Sequence, residues 1–200
     1  IVAVTLGKAA AESTLQSALA MGADRGLLIR CDDNPDSMVT ARALKAAIEQ
    51  DGKPDIIFTG NESIDSEGFQ TMFRLGATLN IPVVNNVVAF KLEDRFVTVE
   101  CKMDAGSMGV VRMPLPCIVG AGKALNKPRY PTLPDIMKAR KKPIQTITLD
   151  SLDLDSPAGS MEVVELRPAV EKRRGQIIEG PFEKAVPELV RRLREEAKVI

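Results

Sequence analysis

The sequence contains no histidine and no tryptophan, and only one tyrosine and six phenylalanines among its 200 residues. Without imidazole there is no Ser-His or Cys-His nucleophile pair, no HExxH zinc site and no imidazole proton shuttle. Conventional hydrolase mechanisms are thereby removed. Cysteine is scarce as well: Cys31, Cys101 and Cys117 stand far apart with no CxxC pair. That spacing spells out neither an iron-sulfur cluster nor a closed zinc site, and scattered thiols fit a reducing compartment. Each lies in or beside an expected strand, where a thiol is an inert packing group. No apolar run approaches the roughly 18 residues of a membrane span, and no basic-then-apolar start marks a secretory signal. Charge of one sign is missing too. The 27 Lys and Arg balance 27 Asp and Glu, so no uniformly basic field favours nucleic acid or anionic lipid.

What is present is an alternation of periods. Ile1 to Thr5 is an apolar, β-branched run, and Ala9 to Met21 has helical spacing that closes at Gly22. Gly26 to Cys31 reads as the next strand. Ser37 can cap a helix carrying Val39, Ala43, Leu44, Ala47 and Ile48, and Pro54 precedes a strand at Asp55 to Thr59. Such alternation predicts an α/β fold, a mostly parallel sheet with helices on both faces, because parallel neighbours need crossover connections. After a further helix, Val83 to Phe90 and Phe96 to Met103 read as a β-hairpin turning at Lys91 to Arg95, followed by a strand at Cys117 to Gly120. Lys127 to Lys142 reads as a proline-stiffened loop running into a short basic helix. Residues 1–150 then form the α/β domain. Residues 151–200 form an extended arm ending in an amphipathic helix, in which Val186, Leu189, Val190 and Leu193 recur among arginines and glutamates.

In an open parallel sheet, ligands sit at the carboxyl ends of strands, where loops and helix N-termini offer N–H groups to an anion. Two loops occupy such places: Thr5, Leu6, Gly7 and Lys8, and the polar stretch from Gly60 to Thr71. In the second, Ser63, Ser66, Gln70 and Thr71 can donate to a phosphate, while Asp65 suits a hydroxyl or a helix cap. The same residues also read as an ordinary polar loop with Asp65 or Ser66 capping the next helix. Leu133, between Thr132 and Pro134, reads equally as an exposed docking knob or as a buried staple for the helix it precedes. The cluster of Lys138, Arg140, Lys141 and Lys142 is a solvated face, a helix-dipole partner or an attractor of an acidic partner. No GxGxxG or GxxxxGK[ST] motif occurs, and no metal site is expected.

Several segments are familiar as sequence: ALAMGADR at 18–25, SID at 63–65 followed by QT at 70–71, and above all NKPRYPTLPDIMKARKKPI at 126–144. With GQIIEG at 175–180 and REEAKVI at 194–200, they run in order along nearly the whole chain. Together they resemble the small, beta, subunit of electron transfer flavoproteins. The resemblance starts at the strand at Ile1, and implies that the family's N-terminal segment is lacking from this sequence.

The resemblance implies a heterodimer in which an alpha subunit holds most of a redox-active FAD and beta binds AMP structurally, without chemistry on it. The AMP loop becomes Gly60, Asn61, Glu62, Ser63, Ile64, Asp65, Ser66, Gln70 and Thr71, with Leu6 also facing the nucleotide. Leu133, with Tyr130, Pro134, Ile136 and Met137, becomes the loop that docks acyl-CoA or other flavin dehydrogenases, and a membrane quinone oxidoreductase is an expected acceptor. The implied compartment is the bacterial or archaeal cytoplasm, or the mitochondrial matrix in a eukaryote. Three departures stand out. AMP-type members usually carry a second Asp at the place of Ser66 and Asn at the place of Phe69. The bifurcating branch, with a second FAD in beta, usually reads IDGDT with QV where this chain reads IDSEG with QT. The acidic-glycine signature is loosely kept as MDAGSM at 103–108. A bifurcating subunit and a free-standing adenine-nucleotide module are the rival readings.

Overall fold

A computed structural model of the chain describes residues 1–64, 67–154, 159, 161, 163–168 and 175–199. It divides into two compact units, Ile1–Glu162 and Val163–Ile200. The α/β unit therefore runs past the boundary expected at 150. Leu152 is buried in the same cluster as Leu27, Ile29, Ala43 and Ala47, and the amide of Met161 donates to Asp36 at 3.2 Å.

The first sheet has the order β1-β2-β8, from Val2–Gly7, Arg25–Arg30 and Ile144–Thr148, and both of its pairings are parallel. The β8 strand was not anticipated. The second sheet has the order β3-β7-β4-β5-β6, from Ile56–Thr59, Cys117–Ala121, Val83–Glu93, Phe96–Lys102 and Met108–Pro114. There β3 and β4 flank β7 in parallel, while β4, β5 and β6 run antiparallel. The expected hairpin is thus two strands of a three-stranded meander. The mostly parallel α/β reading holds, but the strands form two sheets among the described residues.

Helices cover both faces of the first sheet, and the strand alternation dictates which side chain meets which helix. On one face, Leu27 and Ile29 of β2, with Val2, Val4 and Leu6 of β1, meet Ala43 and Ala47 of α2 (Ser37–Asp51). On the other, Ala3 and Ile144 meet Leu19 of α1 (Glu12–Met21) and Ala139 of α4 (Leu133–Ala139). The α1 helix is preceded by a short 3-10 turn at Ala9–Ala11. The expected cap of α2 shifts by one residue. Asp36 rather than Ser37 is the cap, its carboxylate accepting from the amides of Met38 and Val39 at 2.9 Å each. Asp offers two acceptor oxygens where Ser offers one hydroxyl.

Helix α2 also meets the second sheet. Ala41, fully buried, joins Met72 and Leu75 of α3 (Thr71–Leu79) and Ile118 of β7, with Ile57 and Val83 packed alongside. The opposite face of that sheet carries its own core of Val84, Val87, Val97, Val99, Cys101, Met113, Cys117 and Val119. All three thiols are buried and unpaired, and desolvation pushes the Cys117 thiol up.

Helix α4 is fixed at both ends. Thr132 and Asp135 form a capping box, the Asp135 carboxylate accepting from the Thr132 amide at 3.0 Å and from its hydroxyl at 2.6 Å. Beyond α4, Lys142 belongs to the expected basic cluster but turns inward, donating to the carbonyls of Leu19 at 3.0 Å and Ala23 at 2.5 Å. A cation there satisfies the carboxyl end of α1.

The second unit is described by itself. Its helix α5 spans Phe182–Glu195 and contains no buried residue; Phe182, Val186 and Leu189 are exposed. Glu188 accepts from both Arg191 and Arg192, which holds its carboxyl down at about 2. Among the described residues no helix is long and apolar enough to cross a membrane.

Two outcomes test this packing. A Cβ at Gly76 of α3 would overlap Val83 Cγ2 and come within 3.2 Å of the Ile81 carbonyl oxygen. The roughly 1 kcal/mol of helix propensity gained by Gly76→Ala is therefore outweighed by an overpacking cost of about 1–3 kcal/mol, read as a lower denaturation midpoint. Secondly, the Thr132 hydrogen bonds hold the Asp135 carboxyl below its ordinary value. Its contribution to α4 is complete above that ordinary value and is lost as the pH falls through the lowered one. An NMR titration should place the Asp135 midpoint below the usual carboxylate range, with faster exchange of the first-turn amides of α4 on the acid side.

Candidate functional site

The 60–70 loop joins the carboxyl end of β3 to the N-terminus of α3. It is fixed near both ends by side chains from elsewhere. Asn61, half-buried, donates through Nδ2 to Asn86 Oδ1 at 2.7 Å, and its Oδ1 accepts the Asn86 amide at 3.3 Å. At the other end the Ser37 hydroxyl donates to Gln70 Oε1 at 3.2 Å, and the Phe69 ring meets Phe73 edge-on with centroids 5.6 Å apart. The Glu67 amide closes the middle of the loop on the Ser63 carbonyl at 2.8 Å. Glu67 and Phe69 both take left-handed backbone, the conformation with which short loops turn sharply.

The Ser37–Gln70 bond brings the N-termini of α2 and α3 together. They differ in what an anion would meet. At α2, the Asp36 carboxylate already takes the first-turn amides. At α3, the cap position is held by Gln70, not by Asp65 or Ser66, and its side chain makes no capping bond; no acidic residue lies in the first turn. The first N–H groups of a helix have no intrahelical acceptor, so this end can hold an anion with no carboxylate of its own against it. Gln70 binds Ser37 through its oxygen, which leaves its amide nitrogen as the donor. The donor set fits a phosphate group.

Around it, Gly60, Glu62, Ser63 and Ile64 are exposed, Ile64 at 93%, and Thr71 is half-buried. Asp65 and Ser66 lie outside the described residues. Leu6 departs from the expected turn position. The β1 strand runs on through Gly7, and Leu6 is a half-buried strand residue packed on the α2 side of the first sheet.

The residues of the second group gather on α4. Leu133, Ile136 and Met137 recur at helical spacing and are 73%, 40% and 53% exposed, while Ala139 is buried against Leu19 and Ala23. Tyr130, 90% exposed, stands in the preceding loop, and Pro134 is exposed in the first turn. The two readings of Leu133 are thereby separated: it is an exposed knob, not a staple. The loop and this apolar face are not brought together, since α4 packs with α1 on the face of the first sheet opposite α2.

Sequence reasoning missed Asn86 and Ser37 as partners of the loop, because nothing in a periodic pattern links residues 25 and 33 positions apart. It also missed a cleft of about 470 Å³ lined by Phe58, Phe90, Ala121, Leu125 and Asn126. A phenylalanine in a strand otherwise destined for burial was the available signal; Phe58 is 55% exposed and meets Phe90 at 5.4 Å.

Comparison with known proteins identifies the family of the chain. The electron transfer flavoprotein domain matches residues 1–152. Over its whole length the chain is 38% identical to the electron transfer flavoprotein subunit beta of Bacillus subtilis (strain 168), covering 79% of that protein. It is 35% identical to the mitochondrial subunit beta of Oryza sativa subsp. japonica, covering 78% of it, and 32% identical to the subunit beta of Mus musculus, covering 76%. With an α/β fold consistent with that match, the chain belongs to the electron transfer flavoprotein family, on the branch of its beta subunits.

Proposed function

We propose that this chain is the beta subunit of a heterodimeric electron transfer flavoprotein, binding AMP structurally in the 60–71 loop and docking partner dehydrogenases through α4. The observation that carries the nucleotide reading is the N-terminus of α3, whose cap residue Gln70 makes no capping bond and is held by Ser37, and whose first turn holds no acidic residue. The first-turn amides of α3, with the Gln70 amide and the hydroxyls of Ser63 and Thr71, bind the phosphate. FAD, held mainly by the alpha subunit, supplies the redox chemistry when bound. This chain's side chains perform no acid-base step: it is an electron-carrier subunit, and it acts in the bacterial or archaeal cytoplasm or in the mitochondrial matrix.

The docking reading is supported by the exposed row of Leu133, Ile136 and Met137, beside Tyr130, on a helix whose start is held by its own capping box. A rigid apolar anchor binds at low conformational cost, and small, transient redox complexes depend on a few such residues. Lys138 of α4 and, in the turn that follows it, Arg140 and Lys141 speed encounter with an acidic dehydrogenase surface. The α5 face of Phe182, Val186 and Leu189 suits a groove on the alpha subunit.

Two measurements test the reading. Acid release from the co-purified heterodimer should yield one AMP and one FAD; two FAD and no AMP would make the beta site a flavin site and a bifurcating subunit the better reading. Leu133→Ala should slow electron transfer from an acyl-CoA dehydrogenase by about tenfold or more, as expected for an interface anchor, with flavin and AMP content unchanged. Equal rates for variant and wild type would remove the docking role.

A further inference from the structure

We infer that Asn86, which lies outside the nucleotide loop, is a positioning residue that sets the affinity of that loop through Asn61. The inference rests on the reading of the loop as an AMP site. Its observation is the reciprocal pair: the Asn61 amide group both accepts from the Asn86 backbone N–H and donates to the Asn86 side chain. Two bonds between the same two residues fix orientation as well as position.

The local backbone explains why Asn stands at 86. The register of β4 against β7 steps from Val84–Val119 to Val87–Ala121, so β4 carries one extra residue there. The extra residue of a bulge leaves the ladder, and its N–H needs another acceptor. Asn86 takes left-handed backbone, φ +53°, which Asn tolerates better than most residues. Asn61 Oδ1 supplies the missing acceptor. Gly120 of β7 makes the approach possible: a Cβ there would lie 2.9 Å from Asn61 Oδ1, 2.8 Å from Met72 Sδ and 3.1 Å from the Asn85 Cα. Two strands, β4 and β7, thus converge on the Asn61 side chain at the start of the loop.

At the other end of the loop Gln70 is held separately, by Ser37. Asn61 is not itself among the proposed phosphate donors, so releasing its tie removes no donor. It lets the loop sample arrangements in which Ser63 and the α3 amides are not aligned together. If the competent arrangement falls to about one-tenth of the population, apparent affinity falls about tenfold. The Asn86 pair therefore acts through pre-organisation, not contact.

The experiment measures AMP binding by titration calorimetry on the heterodimer stripped of nucleotide. Three variants are compared: Asn86→Gly, which keeps the left-handed backbone but loses the acceptor; Asn86→Asp, which keeps both; and Asn61→Ala. The expected result is an AMP Kd about tenfold weaker in Asn86→Gly and Asn61→Ala and about that of wild type in Asn86→Asp. Hydrogen exchange in residues 60–70 should rise only in the two weakened variants, with the melting temperature of the stripped complex unchanged. Wild-type affinity in Asn86→Gly would overturn the inference. So would a weakening that Asn86→Asp does not rescue and that tracks a lower melting temperature, the mark of a merely structural bulge residue. Failure of the wild-type complex to bind AMP at all is the separate result that would overturn the nucleotide reading, and this inference with it.

Discussion

The helix that both sheets share, α2, is the constraint on which the rest depends. It can lie against β1 and β2 and against α3 at once only because its contact residues are small: Ala41 and Ala43 are fully buried and Ala47 nearly so. Ala43 and Ala47 face the first sheet, Ala41 faces α3 and Ile118, and Leu44 packs against both clusters. A larger side chain at any of the three would push one layer away. Since α2 follows β2 and α3 follows β3, drawing the two helices together brings two strand carboxyl ends to one place. The Ser37–Gln70 bond is the visible result, and the donor-rich end of α3 is its chemical consequence.

The two surfaces use different means to hold a side chain ready. In the loop, glycine, left-handed residues and side-chain ties fix a backbone that no regular structure supports. On α4, the Thr132–Asp135 box and a buried Ala139 fix a short helix, and the apolar row then needs no support of its own. Isolated helices of this length do not persist in water. The box, the packing on α1 and the turn held by Lys142 on the Leu19 and Ala23 carbonyls supply what length does not.

Much of this was legible in the sequence wherever periodicity carries the information. The β1, α1, β2, α2 and β3 succession follows from apolar alternation between strand and helix periods, and burial of β2 on both faces follows from its Gly-Leu-Leu-Ile run. What escaped was structure without a strong apolar period. In β6, Arg112 interrupts the run; it is accommodated because its guanidinium lies 3.9 Å from the Phe96 ring centroid on the neighbouring strand. In β8, an edge strand of Ile, Gln, Thr, Ile and Thr, only Ile144 and Ile147 turn inward, which reads as a polar connection. The position of the α2 cap was ambiguous because Asp36 and Ser37 are both good cap formers. The orientation of Leu133 was open because a leucine beside a helix start can turn either way. Only the choice of Ala139 as the residue facing α1 decides it.

The placement of the two surfaces bears on how they influence one another. The loop is tied to α2, α3 and the β4 bulge, whose side chains pack around Met72, Leu75 and Ile118. The exposed apolar face of α4 is tied to α1 around Leu19 and Ala23, on the far side of the first sheet. No side chain named in either set of ties belongs to the other. Effects at such separated sites are close to additive, because coupling requires shared partners or a shared backbone shift. Under the proposed function, an occupant of the loop would therefore stiffen the α2, α3 and β4 assembly without pulling on α4, and a partner seated on Leu133 would not disturb it. Under the proposed function, this separation would let a dehydrogenase contact be transient and a nucleotide contact permanent within a single α/β unit.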